Sequence, residues 1–186
     1  EPGDVGAFSP VPTPLSSLES GRPLGDFDIV AFSVSFENDY PNILTMLERG
    51  RIPLAAAARG ENDPLVIGGG VSVMLNPEPL AAFFDLFLLG EAEEMAPQFL
   101  ERFRTLHAAG TARETILADL QRSIEGAYVP KYYRAGYGAG QCIDSFRPVD
   151  PAYPARIRVR HAGDINAFRT HQVITTPDTE FSDMFL

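Results

Sequence analysis

The sequence of 186 residues has a single cysteine, Cys142, so it cannot form an internal disulfide. Such low cysteine content is typical of proteins in a reducing compartment. Basic residues are also few: 15 lysines and arginines stand against 25 aspartates and glutamates, which gives a net charge of −10. The chain therefore lacks the broad basic surface that nucleic-acid backbones require.

Long apolar runs and a targeting segment are missing as well. The longest apolar runs, such as Pro79–Leu89, are interrupted and fall far short of the roughly 20 residues of a membrane span. No basic segment followed by an apolar one opens the chain, as a signal peptide would. These absences predict a soluble, cytoplasmic protein. Because the chain starts without methionine and ends on the largely apolar Asp183–Leu186, we expect it to be a piece of a longer protein.

The segment Leu65–Gly70 is the central feature of the sequence. Three consecutive apolar residues favour a strand that is covered on both faces. The three glycines that follow let the backbone turn tightly and let a ligand or helix approach closely. In an open α/β sheet, ligands bind at the carboxyl ends of strands, and this segment predicts such an end.

The rest of the central region alternates between strand and helix patterns, which predicts an α/β fold with a parallel sheet. The other predicted strands are Asp28–Phe36 and Leu86–Leu89. The predicted helices begin at Asn38–Pro41, at Leu80, near Glu91 and at the capping-box pattern Thr111–Glu114. Because Pro97 lies inside the third of these patterns, that helix is expected to start near Met95 or to kink at the proline. We divide the chain into an irregular arm (1–25), an α/β domain (26–126) and an extension of loops and short strands (127–186), in which Arg156–Arg160 alternates like an edge strand.

The ends of the three predicted strands supply a candidate binding site. If the strands are parallel, two hydroxyls, several bare backbone amides and one carboxylate line one crevice, which suits a large flat cofactor or a nucleotide. The alternative is that these serines simply end strands and these glycines simply turn the chain. The residues of the candidate site are Ser33, Ser35, Gly68, Gly69, Gly70, Gly90 and Glu91.

Other chemistry-bearing residues give weaker signals. Glu91, Glu93 and Glu94 could form a catalytic or metal cluster, but a solvated first turn of a helix is the favoured interpretation. The three histidines are far apart in the sequence, and Cys142 lies in a glycine-rich loop without a partner. No GxSxG, P-loop or GxGxxG pattern occurs. The residues therefore predict a binding-type α/β domain without a self-sufficient active site.

Residues 16–94 resemble the N-terminal region of a family of radical S-adenosylmethionine (SAM) proteins, which carry a cobalamin-binding-like domain ahead of an iron–sulfur domain. Ala127–Tyr133 resembles the segment after that domain, and Thr176–Leu186 resembles the lead-in to the cluster-binding loop. The matching segments in the first region are Ser17–Leu24, Phe27–Ser33, Tyr40–Leu44, Pro64–Gly70, Asn76–Pro79 and Leu89–Glu94.

The resemblance implies a three-layer flavodoxin-like (Rossmann-like) fold, in which Ser33 and the pair Gly68-Gly69 correspond to two cobalamin signatures. The DxHxxG signature, whose histidine ligates cobalt, is absent, so we expect weak or base-on cobalamin binding at best. The CxxxCxxC loop that holds a [4Fe–4S] cluster is absent as well. By resemblance, the first strand and helix of the fold would precede Glu1, and the cluster loop would follow Leu186.

The sequence thus predicts the non-catalytic, cofactor-binding-like N-terminal domain of a radical SAM iron–sulfur oxidoreductase, with the cluster and SAM elsewhere in that protein. Its expected partner is the catalytic domain of the same chain, and a homodimer through an exposed sheet edge is a further expectation. One alternative is a cofactor-free docking module for the catalytic domain or a substrate. Another is a free-standing nucleotide or flavin binder.

Overall fold

The computed structural model describes residues 14–164 and 167–168. The strands are β1 (Ile29–Ser33), β2 (Leu65–Gly69), β3 (Leu86–Leu88), β4 (Ala127–Tyr128), β5 (Tyr133–Tyr137) and β6 (Ile143–Pro148). The α-helices are α1 (Tyr40–Arg49), α2 (Val71–Leu75), α3 (Ala92–Ala108) and α4 (Arg113–Ser123). Short 3₁₀ helices cover Leu24–Asp26, Glu37–Asp39, Ala56–Ala58, Glu78–Leu80, Pro130–Tyr132 and Ala139–Gln141.

The three predicted strands lie side by side and run in the same direction. The main sheet has the order β1-β2-β3-β4, with β1 parallel to β2 and β2 parallel to β3. Ile29 pairs with Leu65 and Ser33 with Gly69, while Gly68 pairs with Phe87. The predicted α/β fold is confirmed, and the arrangement is consistent with a flavodoxin-like fold to which β5 and β6 add a small antiparallel sheet.

The main sheet is mixed rather than wholly parallel, because β4 joins β3 in the antiparallel direction. The buried side chain of Gln121 on α4 fixes β4: its amide nitrogen donates to the Ala127 carbonyl at 2.9 Å, and its oxygen accepts from the Val129 amide at 2.6 Å. Sequence patterns missed β4 because a two-residue strand has no measurable period. The division of the chain at residues 25 and 126 stays a prediction.

An apolar core of described residues lies between the sheet and the helices. Buried positions on α1 are Ile43 and Leu47, which lie four residues apart on one face of the helix. The helices α3 and α4 bury Met95, Phe99, Phe103, Ile116, Leu117 and Leu120. The central strand β2 is buried from Leu65 to Gly68, as expected for a parallel strand covered on both faces.

Several local predictions differ from the structure. The helix predicted at Leu80–Phe84 is a 3₁₀ helix at Glu78–Leu80, and α2, directly after the three glycines, was not predicted at all. The helix α3 begins at Ala92 and continues through Pro97. The capping-box pattern does not cap α4: Ala112 is the N-cap residue, and the Glu61 carboxylate accepts the Arg113 amide at 2.8 Å instead.

The predicted edge strand Arg156–Arg160 does not form as a strand, although Arg160 makes one parallel bridge to Gly90. Residues 1–13 of the predicted arm and the segment Thr176–Leu186 lie outside the described residues. Within the described part of the chain, no helix has the length and apolar character needed to cross a membrane.

Candidate functional site at the carboxyl edge of the sheet

The structure brings the predicted site residues other than Gly68 to one edge of the sheet. Ser33 and Gly69 are register partners at the ends of β1 and β2, and the Val34 amide donates to the Gly69 carbonyl at 2.8 Å. Gly90 and Glu91 follow the end of β3. We call this region the carboxyl edge. Ser33 and Ser35 are exposed there and Gly69 is half-buried.

Gly68 faces the core rather than the edge. It is buried, and a Cβ added there would lie 2.8–2.9 Å from ring atoms of Phe84 and Phe87. These two rings stack at a centroid distance of 4.9 Å. The absence of a side chain at residue 68 therefore lets two phenylalanines pack against β2.

Gly70 serves the connection between β2 and α2. Its φ of +99° is one that other residues rarely adopt, and a Cβ would lie 2.7 Å from the backbone of Val34. The Ser72 amide donates to the Val34 carbonyl at 3.1 Å, and the Ser72 and Tyr40 hydroxyls are 2.9 Å apart. The start of α2 is thereby held against the segment that follows β1.

A segment from the C-terminal part of the chain, the strap (residues 160–163), lies across the end of β3. The Arg160 amide donates to the Leu89 carbonyl at 3.0 Å, and the Arg160 carbonyl accepts from the Glu91 amide at 2.9 Å. Gly90 has a φ of +137°, and a Cβ there would overlap the Arg160 backbone. The positions expected to close a cofactor crevice are thus in contact with the chain itself.

Carboxylates at the N-terminus of α3 hold the strap: Glu91 is the N-cap residue and Glu94 lies in the first turn. Glu91 accepts from the Ala162 amide at 2.5 Å. Glu94 accepts from the Gly163 amide and from the Arg160 guanidinium, both at 3.0 Å. The Gly163 amide, followed by the Arg160 side chain, lowers the pKa of Glu94 from its ordinary value. Glu93 differs from both, since its Oε2 atom is buried without a hydrogen-bond partner.

Comparison with known proteins decides the family. The family described as "Radical SAM proteins, N-terminal" matches residues 8–130. The chain belongs to this family. An uncharacterized protein of Methanocaldococcus jannaschii is 33% identical over 78 residues, which are 41% of this chain and 16% of that protein. The chain thus matches only a small part of that relative's length. No solved structure matches the chain.

The residues of this radical SAM N-terminal domain do not fit an iron–sulfur cluster. Such clusters are held by several cysteine thiolates, and the sequence offers only Cys142, which is exposed. Among residues 14–164 and 167–168, no group of three or more histidine, cysteine, aspartate or glutamate side chains could hold a metal ion. His171 lies outside that part of the chain.

At the opposite edge, the radical SAM N-terminal domain contains a buried ion cluster that sequence reasoning missed. The Asp85 Oδ2 atom accepts from Arg59 at 2.9 Å and from the Val66 amide at 2.8 Å, and it lies 2.9 Å from Arg113. The side chain of Arg59 is 0% exposed, and it also donates to the carbonyls of Pro53, Leu54 and Phe83. Burial lowers the pKa of Arg59, and the contact with Asp85 partly opposes this.

One signal in the sequence could have revealed this cluster. Asp85 is a lone carboxylate inside the otherwise apolar run that leads into β3, and a carboxylate in such a place needs a buried partner. Arg59 gave no signal, because it stands in a polar, proline-containing segment that is typical of a solvated loop. The loop folds back so that its arginine reaches Asp85.

Two cavities also lie at this amino edge. One, of about 670 Å³, is lined by Arg59, Asp85, Arg113 and Lys131 among other residues. The other, of about 530 Å³, is lined by Asp28 and His107 among others, and these two side chains approach to 3.4 Å. The charged groups named here are paired within the domain, since Lys131 also pairs with Glu114. The cluster joins the connection between α1 and β2, the connection that precedes β3 and the start of α4.

Proposed function

We propose that this chain is a non-catalytic N-terminal domain of a radical SAM iron–sulfur oxidoreductase, in which the [4Fe–4S] cluster and SAM are bound by another region of the same polypeptide. The family match supports this proposal. The chemistry of the chain supports it too, because one exposed cysteine cannot ligate a cluster. The match to 16% of the archaeal relative agrees with a small part of a larger protein.

The observation that carries the proposal is the single cysteine, and iron binding tests it directly. The 186-residue chain and the full polypeptide that contains it are reconstituted with iron and sulfide under reducing, anaerobic conditions. We expect iron and the visible absorption of a cluster in the full polypeptide only. We also expect reductive cleavage of SAM only there. A cluster on the 186-residue chain, or none on the full polypeptide, would contradict the proposal.

A second candidate function is cobalamin binding at the carboxyl edge, through Ser33, Ser35, Gly68, Gly69, Gly70, Gly90 and Glu91. The exposed Ser33 hydroxyl beside Gly69 favours it, because a donor next to bare backbone is what a flat cofactor needs. The inward contacts of Gly68 and the strap over Gly90 count against a wide crevice.

Incubation with hydroxocobalamin followed by desalting tests this second candidate. If the carboxyl edge holds the cofactor, we expect the wild type to keep a visible cobalamin spectrum. The Gly69→Leu variant should lose this spectrum, and Leu18→Ser, at an exposed turn, should keep it. If the wild type emerges colourless from the desalting column, the cobalamin-binding candidate is wrong. The alternative of a cofactor-free docking module then remains.

A further inference from the structure

Three arginines line one cavity between the end of α4 and the segment that leads into the strap. The cavity has a volume of about 320 Å³, and its arginines are Arg122, Arg156 and Arg158. Glu125 is the one carboxylate among its described lining residues. The chain as a whole has 25 acidic and 15 basic side chains, so the local excess of positive charge is the opposite of the overall charge. We call this cavity the arginine cavity.

The positive charge of the arginine cavity is not neutralised within the described part of the chain. None of its three guanidinium groups forms an ion pair with a described residue. Asp119, three residues before Arg122 on α4, pairs with Arg102 at 2.6 Å instead. Like charges around a small cavity repel each other, and an anion bound between them would turn this repulsion into attraction.

Contacts on both sides of the arginine cavity hold its walls in place. The Arg122 guanidinium carbon lies 5.9 Å from the centroid of the Tyr153 ring, and this ring stacks on Tyr132 at a centroid distance of 4.3 Å. Ile157, between the other two arginines, is half-buried against the apolar core. The strap, which begins at Arg160, fixes the following residues to the end of β3. Because the walls are already ordered, a ligand pays less conformational entropy to bind them.

We propose that the arginine cavity is a binding site for a small molecule that carries a phosphate group. The planar guanidinium fork binds the oxygens of phosphates and carboxylates in pairs. A phosphate ester carries nearly two negative charges near neutral pH and a side-chain carboxylate only one, so phosphate is the better match for three arginines. The volume lies at the small end of the range of ligand sites. This role goes beyond the proposed function and does not depend on it.

An NMR titration of the ¹⁵N-labelled chain with pyrophosphate tests the site. We expect saturable shifts of amide signals that are confined to residues 121–127 and 154–158, which line the cavity. Arg158→Ala should weaken the affinity roughly tenfold, because it removes charge-assisted hydrogen bonds to the phosphate oxygens. The melting temperature of this variant should stay unchanged, since the Arg158 side chain is exposed.

The matched control is Arg104→Ala on α3. Arg104 is also an exposed arginine without an ion pair to a described residue, but it does not line the arginine cavity. This variant should leave the affinity for pyrophosphate nearly unchanged. If no saturable shift occurs, or if Arg104→Ala weakens binding as much as Arg158→Ala does, the proposal is wrong.

Competition experiments identify the kind of anion. If a glutamate-rich peptide binds the arginine cavity more tightly than pyrophosphate and displaces it, the natural occupant is an acidic protein segment and the proposal is wrong. Titrations with ATP and with tripolyphosphate distinguish two sources of the phosphate. Tighter binding of ATP would support a nucleotide as the ligand, and equal binding would support recognition of the phosphate groups alone.

Discussion

At the scale of single residues, Asp85 controls the amino edge of the sheet. Its carboxylate meets two arginines and one backbone amide, and its side chain is only 3% exposed. A buried ion pair adds little net stability compared with apolar packing, but the removal of one partner leaves an uncompensated buried charge. The stability of the fold therefore depends on this carboxylate more than on any surface charge.

The first prediction follows from the burial of Arg59. Asp85→Ala leaves the guanidinium of Arg59 without its counter-ion, and we expect it to lower the free energy of unfolding by roughly 3–5 kcal/mol. Urea denaturation measures this loss. Asp119→Ala is the control: it removes the partner of the solvent-accessible Arg102, and its cost should be far smaller. Equal losses in the two variants would contradict the structural role of Asp85.

Glu94 gives a prediction about pH. Its pKa in the folded state is lowered by the Gly163 amide and Arg160, so its contribution to stability is present above the ordinary carboxyl value of 4.5 and is lost as the pH falls through the lowered folded value. The difference in melting temperature between the wild type and Glu94→Gln should thus be largest at neutral pH and shrink in acid.

The control for this pH series is Glu101→Gln on the same helix. The Glu101 carboxylate has no hydrogen bond or ion pair with any described residue, and only its backbone carbonyl accepts a hydrogen bond, from Thr105. Its difference from the wild type should stay small at every pH. A Glu94→Gln difference that grows in acid would contradict the role of Glu94 in holding the strap.

At the scale of elements, the consecutive glycines Gly68 and Gly69 at the end of β2 have different structural roles. Gly68→Ala would force a methyl group against Phe84 and Phe87, and we expect it to lower the free energy of unfolding by about 1–3 kcal/mol. At Gly69 the same methyl would meet only the Leu88 carbonyl at an ordinary 3.6 Å. Gly69→Ala is therefore expected to leave stability nearly unchanged.

Thermal denaturation of Gly68→Ala and Gly69→Ala checks whether only the first substitution lowers stability. Because Gly69 is the glycine that stands beside the exposed Ser33, a cofactor at the carboxyl edge would make Gly69→Ala lose binding without losing stability. If Gly68→Ala is as stable as the wild type, the packing explanation for that glycine is wrong.

At the scale of the whole molecule, the strands of the sheet were easier to predict from the sequence than the contacts at its carboxyl edge. Leu65–Ile67 and the run before Gly90 are strands because buried parallel strands are apolar on both faces, which is a local property. The glycines looked alike in sequence, yet Gly68 and Gly70 face different neighbours. What a glycine meets depends on chain segments far away, here Phe87, Val34 and Arg160.

The same limit explains the parts that were wrong or missed. The helix α2 has only five residues, of which Ser72 and Val73 are buried, and so short a segment shows no helical period in the sequence. In place of the capping box that begins at Thr111, the Glu61 carboxylate, 52 residues before Arg113, accepts the Arg113 amide. Both outcomes are set by tertiary contacts that no window of sequence contains.

The strand order has a consequence for how the protein is made. Strands β1 to β4 are adjacent in the sheet in the order in which translation produces them. Among the strands of residues 14–164, none has to insert between two that have already paired. The nascent chain can therefore add one strand at a time to a growing sheet while it leaves the ribosome, and β4 completes the far side last.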